Sequence, residues 1–238
     1  MEVAVLPTPS QAVWFMPMRS GSGAVALCQD GTLLRWSLPD GRLRRSIETP
    51  IREFDLAAVS SDGRYCAAAD FDGTYAVWDL ASGAVHEKWR LPRFASALAF
   101  SSDGRRLSFS PDGMSARILD LTSHRTLFEL QHPVGGTVEI AFSRDGRYIA
   151  TGDADTIVRV YDASQGNLLA RNTDFLLEPF AVDFSPDGKQ LVAGGADKSV
   201  ATLETSTGRR IRISAKMVEP IGYLRVSQDG ARVAVLLE

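Results

Sequence analysis

The residues best able to do chemistry in this chain are few, and their spacing argues against most of the chemistry they could do. Three histidines occur in 238 residues: His86, His124 and His132. None has a Cys, Asp or Glu at metal-ligand spacing, so no metal site is expected. Cys28 and Cys66 fall at different depths of a repeated pattern. They read as buried reduced thiols rather than as a disulfide, which would need closely matched Cβ positions. Aspartates are numerous, yet nearly all of them recur in the same turn slots, which points to turn capping rather than to paired catalytic carboxylates. Serines such as Ser143 stand just before turns, with no neighbouring base to activate them. The Gly135-Gly136 and Gly194-Gly195 pairs do not make a phosphate loop. The expectation is therefore no catalytic residues, no metal and no cofactor.

Those turn slots belong to an internal repeat of about 42 residues. An Asp-Gly pair recurs at Asp62-Gly63, Asp103-Gly104, Asp145-Gly146, Asp187-Gly188 and Asp229-Gly230. A large side chain follows each of the first four at a constant distance: Trp78, Leu119, Tyr161 and Leu203. Trp36 falls on the same grid one period earlier, with Ser20-Gly21 in the Asp-Gly slot. In the segment from Ala181 to Ile213, short runs of Val, Ile, Leu and Phe are broken by Asp, Gly, Ser and Pro, with no sustained helical stripe. Each repeat reads as four short antiparallel strands joined by hairpins. Ser185-Pro186-Asp187-Gly188 suits a tight turn between the first two strands. Gly41, Gly83, Gly166 and Gly208 mark the third hairpin, and His124 occupies that slot in the middle repeat, where it is expected at positive φ.

The repeats resemble those of the WD-repeat β-propeller family, over essentially the whole chain. The Trp-Asp dipeptide stands once, as Trp78-Asp79, and is replaced by Tyr161-Asp162, Leu119-Asp120, Leu203-Glu204 and Trp36-Ser37 elsewhere. The aspartate before the third strand is matched by Asp30, Asp72, Asp112, Asp155 and Asp197. The Gly-His pair that usually opens such repeats is missing, so these aspartates are expected to cap their own turns. The resemblance implies an all-β propeller of four-stranded blades and a non-enzymatic scaffold that binds a protein or peptide.

Composition fits that class. The chain is 45% hydrophobic, enough for a sizeable core, and carries 26 basic against 29 acidic residues, a net charge of -3. Nucleic acid is not the expected partner, because phosphate binding needs a surplus of positive charge. The N-terminal MEVAVLPTPSQAV lacks the basic start of a signal peptide, and no apolar run reaches transmembrane length. A cytoplasmic protein without a membrane partner is expected.

A single propeller domain over 1-238 is expected, with blades near 12-48, 54-90, 95-131, 137-173 and 179-214. A partial sixth blade spans 221-238, and the segment from Glu2 to Leu6 is placed to supply its missing strand. Ring closure of that kind removes open sheet edges, and self-association through the incomplete blade is the alternative outcome. A fragment of a longer chain with further blades is the competing reading.

Two surfaces are candidates for function. Basic residues gather on the outer strands (Arg42, Arg44, Arg45, Lys88, Arg90, Arg209, Arg210 and Arg212), where edge charge prevents strand-to-strand pairing, the alternative being a positive rim that contacts an acidic partner or membrane surface. The loops between blades are apolar and irregular, and they gather at one end of a propeller beside the turns between second and third strands. Arg52, Arg93, Phe94, His132, Phe175, Leu176, Lys216 and Met217 are the expected partner-binding residues there. Each hydrophobe could instead tuck under its own blade. That reading balances the first evenly for Phe175 to Leu177, and it is preferred for Phe94 and Met217 taken singly. Two other functions stay open: a propeller hydrolase or lactonase-like enzyme with a site at the channel mouth, and a regulatory domain of a larger protein.

Overall fold

The computed structural model describes residues 6-18, 21-38, 40-51, 53-91, 97-111, 114-131, 136-214 and 216-237. They form strands and turns, with no helix among the described residues. The first sheet orders β1 (Ala12–Pro17), β2 (Gly23–Cys28), β3 (Thr32–Ser37) and β4 (Leu43–Glu48). The second holds β5 (Phe54–Val59), β6 (Tyr65–Asp70), β7 (Thr74–Asp79) and β8 (Val85–Arg90). The third holds β9 (Leu98–Phe100), β10 (Arg106–Phe109), β11 (Ser115–Asp120) and β12 (Arg125–Gln131). The fourth is β13 (Thr137–Phe142), β14 (Tyr148–Asp153), β15 (Val158–Asp162) and β16 (Leu168–Asn172). The fifth is β17 (Ala181–Phe184), β18 (Gln190–Gly194), β19 (Val200–Glu204) and β20 (Arg210–Ile213). The sixth holds, among the described residues, β21 (Ile221–Val226) and β22 (Val233–Leu237). Every pairing is between sequence neighbours and antiparallel, as short turns require.

The recurring Asp-Gly turn is built by three side-chain and backbone devices at once. In the fifth sheet the Gly188 amide donates to the Ser185 carbonyl at 2.9 Å. The Ser185 hydroxyl donates to Asp187 at 2.7 Å and accepts from the Gln190 amide at 2.9 Å, while Asp187 accepts from the Lys189 amide at 3.0 Å. The same set recurs around Ser60 and Asp62, Ser101 and Asp103, Ser143 and Asp145, and Ser227 and Asp229. The serines before the turns are thus structural partners of the aspartates. In the third hairpin, His124 has φ 58, the value that glycine supplies in the other four complete sheets.

A second repeated device seats the large side chain of the grid. The pairing of third and fourth strands slips by one residue just before Trp36, Trp78, Leu119, Tyr161 and Leu203. A bulge of this kind re-aims the side chain beyond it. All five grid residues are buried. Four of them enter the clusters that fill the spaces between neighbouring sheets: Trp78 with Leu27 and Val25, Leu119 with Tyr65 and Val77, Tyr161 with Ile118 and Phe142, and Leu203 with Val160. Second strands such as β2 are buried throughout, whereas outer strands such as β20 are exposed throughout. Cys28 and Cys66 are buried free thiols, and burial pushes the Cys66 thiol far up.

The segment expected to close the ring lies outside the described residues except for Leu6. That side chain packs on Ala26, Cys28, Leu34 and Trp36, on the first sheet.

Candidate binding face

The connecting loops are stitched to the turns between second and third strands by backbone hydrogen bonds, and this creates one continuous loop end. Thr49 donates to Gly31, Leu91 to Gly73, Ala154 to Gly136 and Ala196 to Glu178, at 2.8 to 3.0 Å. The fifth sheet shows the arrangement best. Its turn at residues 195-198 accepts from Met217 through the Lys198 carbonyl at 2.7 Å and from Ile221 through the Gly195 carbonyl at 3.1 Å. The turn is thereby tied to the loop before β17 and to the loop before β21. Gly195 permits this approach, since a Cβ there would collide with the Glu178 carbonyl oxygen and lie 2.7 Å from the Pro179 Cα.

On that stitched segment the structure brings three of the eight expected residues together with two others. Leu176 is 77% exposed and Val218 78%, with Leu177 also exposed. Lys216 is exposed beside them, and Met217 is half-buried against the core between the fifth and sixth sheets. Lys198 has φ 65 and donates from Nζ to the Val218 carbonyl at 2.8 Å, with Glu219 3.5 Å away, so a charged rim holds the Val218 loop in place. Phe175 turns inward and joins Phe184, Leu191 and Val182 in the core. The run from Phe175 to Leu177 therefore divides, with one residue packed and two facing solvent. Arg52, Arg93, Phe94 and His132 lie outside the described residues.

The polar groups elsewhere are engaged in structure. Asp79 accepts from the Ser82 and Ala81 amides, and those bonds, Ser82 first, hold its carboxyl below the usual range. Asp120 and Asp162 behave likewise through Ser123 and Ser164. Asp30, Asp155 and Asp197 each accept from the amide two residues on, while in the second sheet Asp70 bonds the Thr74 amide. His86 bonds the Leu121 carbonyl at 2.8 Å, and His124 pairs with Glu87. Among the described residues, no three His, Cys, Asp or Glu side chains gather to hold a metal. The outer-strand arginines meet local acids, Arg44 with Asp40 at 3.0 Å and Arg210 with Asp174 at 3.6 Å.

Sequence reasoning passed over a set of charged residues on the inner strands. Glu139, Asp183 and Arg225 stand where the first three inner strands carry apolar groups, and Arg144 stands where the other described turns carry Ser61, Ser102, Pro186 and Gln228. Departure from the repeat was the available signal.

Six antiparallel sheets with a common cavity at their inner strands, lined from β1 to β21, define a β-propeller. The family described as WD domain, G-beta repeat matches residues 49-79, 125-162 and 179-201. A curated relative, the small ribosomal subunit protein RACK1y of Oryza sativa subsp. japonica, is 30% identical over 122 residues. That match covers 51% of this chain and 36% of the relative, so the chain spans about a third of the relative's length. The three matched stretches are similar to WD repeats, and the arrangement of the sheets is that of a β-propeller. Among the described residues, no helix is long and apolar enough to cross a membrane.

Proposed function

We propose that the chain is a non-enzymatic, cytoplasmic scaffold that binds a protein or peptide on its connecting-loop face. The observation that carries this reading is the pair of almost fully exposed aliphatic side chains, Leu176 and Val218, on loops tied to one turn and rimmed by Lys198, Lys216 and Glu219. Exposed apolar groups ringed by charge mark contact surfaces. The family match and the rice relative, a ribosomal subunit protein by name, support a protein partner and a cytoplasmic setting.

Arg52, Arg93, Phe94 and His132 are proposed to extend this surface around the ring. Replacing Leu176 and Val218 together by Ser should weaken partner capture by about 2 kcal/mol, roughly thirtyfold, with the melting temperature unchanged. Arg44→Ala with Arg210→Ala on the outer strands should leave capture intact. The opposite pattern would move the binding surface to the outer rim.

A further inference from the structure

Each inner strand runs from a connecting loop to a Ser-Asp-Gly turn, so those turns lie at the end opposite the binding face. A cavity of ≈ 600 Å³ opens there, lined by the ends of the inner strands and by these turns. That size suits a small organic molecule. The walls are chemically unequal. From the first three sheets, the described lining carries no charged residue and includes Phe15, Met16, Leu98 and Phe100, with Phe15 56% exposed. From the other three come Arg144, Asp183, Tyr223 and Arg225, beside the apolar Ile140, Ala141 and Phe142.

Asp183 is buried, and its two oxygens accept from the Phe184 amide at 3.0 Å and the Val226 amide at 2.9 Å. Arg144 is held by the carbonyls of Val226, Ser227 and Gln228 at 3.1 to 3.2 Å, contacts that leave its charge in place. Arg225 stacks on the Tyr223 ring at 4.2 Å and donates from Nη1 to the Leu224 carbonyl at 2.9 Å. Its Nε and Nη2 have no hydrogen bond among the described residues, and its ion pair to Glu139 is long, at 3.8 Å. Two guanidinium groups thus line the cavity beside an apolar wall, with the Asp183 carboxylate satisfied by backbone amides and Glu139 reaching Arg225 only at 3.8 Å.

We propose that this cavity binds a small amphipathic carboxylate, its head on the Arg225 guanidinium and its aliphatic or aromatic body against Phe15, Met16, Leu98 and Phe100. The planar guanidinium fork matches a carboxylate bidentately, which fixes the ligand's direction, and the apolar wall supplies most of the affinity. Burial pushes the Glu139 carboxyl up to about 7, so at pH 7 it is only about half ionised and competes less for Arg225 than a fully ionised carboxylate would. The site is at the far end of the ring from the loop face, and the two proposals stand or fall separately.

Calorimetric titration with octanoate, acetate and octylamine tests the proposal. Octanoate should bind at least tenfold more tightly than acetate, and octylamine should give no measurable binding. Arg225→Gln should weaken octanoate at least tenfold, and Arg225→Lys, which keeps the charge without the fork, several-fold. Phe15→Ala, at a half-exposed position that folding tolerates, should weaken octanoate at least threefold and leave acetate unchanged. A peptide ending in Leu-Phe, compared with its C-terminal amide, separates a free acid from a chain terminus. Binding of that peptide without binding of octanoate would overturn the small-molecule assignment. Equal binding of octanoate and octylamine, or octanoate affinity untouched in Arg225→Gln and Phe15→Ala, would overturn the site itself, as would the absence of binding by every probe.

Discussion

The fifth and sixth sheets begin with the same hairpin and end with different degrees of burial. Ser185 with Asp187 and Ser227 with Asp229 make the same bonds, at 2.7 and 2.6 Å, and the amides of Gln190 and Arg232 close on the serines at 2.9 and 3.0 Å. Yet β18 is buried in four of its five residues, while Val233 and Leu236 on β22 are 40% and 66% exposed. Leu191, at the position equivalent to Val233, is fully buried. The neighbouring strands make the difference: β18 is covered by β19 and by the next sheet, and among the described residues no strand pairs with the outer edge of β22. Turn chemistry is local and survives without neighbours, whereas burial is a property of the array.

The sixth sheet is held instead by polar contacts that reach backwards around the ring. Asp183 of β17 accepts from Val226 of β21, and Gly195 accepts from Ile221. Arg144, from the fourth sheet's turn, spans past the fifth to three carbonyls at the end of β21. One apolar face is shared as well, with Leu224 and Val226 packed on Val192 and Val200.

The largest contrast should appear between the two equivalent side chains. Leu191→Ala removes a fully buried group with neighbours on both faces and should cost about 2 to 5 kcal/mol in urea unfolding. Val233→Ala, at the same place in the repeat, should cost less than about 1 kcal/mol. Equal losses would mean that β22 is covered in solution, and the comparison would fail.

The fold was legible because the repeat is written twice, once in the Asp-Gly turns and once in the residues at Trp36, Trp78, Leu119, Tyr161 and Leu203. Those markers report local turns and core positions, which depend on residues close in sequence. The bulges that seat the grid residues were not legible, since a pairing slip leaves no mark in composition. The binding face was read in part. Leu176 and Leu177 carry the same apolar signal as Phe175, and only packing decides that Phe175 turns inward. The cavity's polar wall was missed because its members come from three separate repeats. Each looks like an isolated exception until the ring brings them together.

Arg144→Ala should produce a medium effect confined to one side of the comparison. The substitution removes charge-assisted bonds to three carbonyls at a half-buried position, worth about 1 to 2 kcal/mol together. Amide hydrogen exchange should therefore quicken across 221-237 and stay unchanged across 181-194. Uniform loss of protection in both segments would show that the sixth sheet does not open independently.

The last effect concerns pH and the contact between the fourth and sixth sheets. Burial, only partly offset by Arg225 and reinforced by Asp183, raises the Glu139 carboxyl from 4.5 to about 7. A group whose folded pKa lies above its unfolded value binds protons more tightly when folded. Its stabilising contribution is full below about 4.5 and is lost as pH rises through about 7. The shift corresponds to at most roughly 3 to 4 kcal/mol, and the 24% exposure of the side chain brings the net loss down to about 1 to 2 kcal/mol. The turn aspartates Asp187 and Asp229, held low chiefly by Ser185 and Ser227, act with the opposite sign and below pH of about 4, equally in both sheets. Between pH 5 and 8.5 the melting temperature of the wild type should fall, and in Glu139→Gln it should stay nearly flat, crossing above the wild type only on the alkaline side. A variant that tracks the wild type at every pH would show that Glu139 is solvated, and that the contact between Glu139 and Arg225 contributes nothing to holding the sixth sheet.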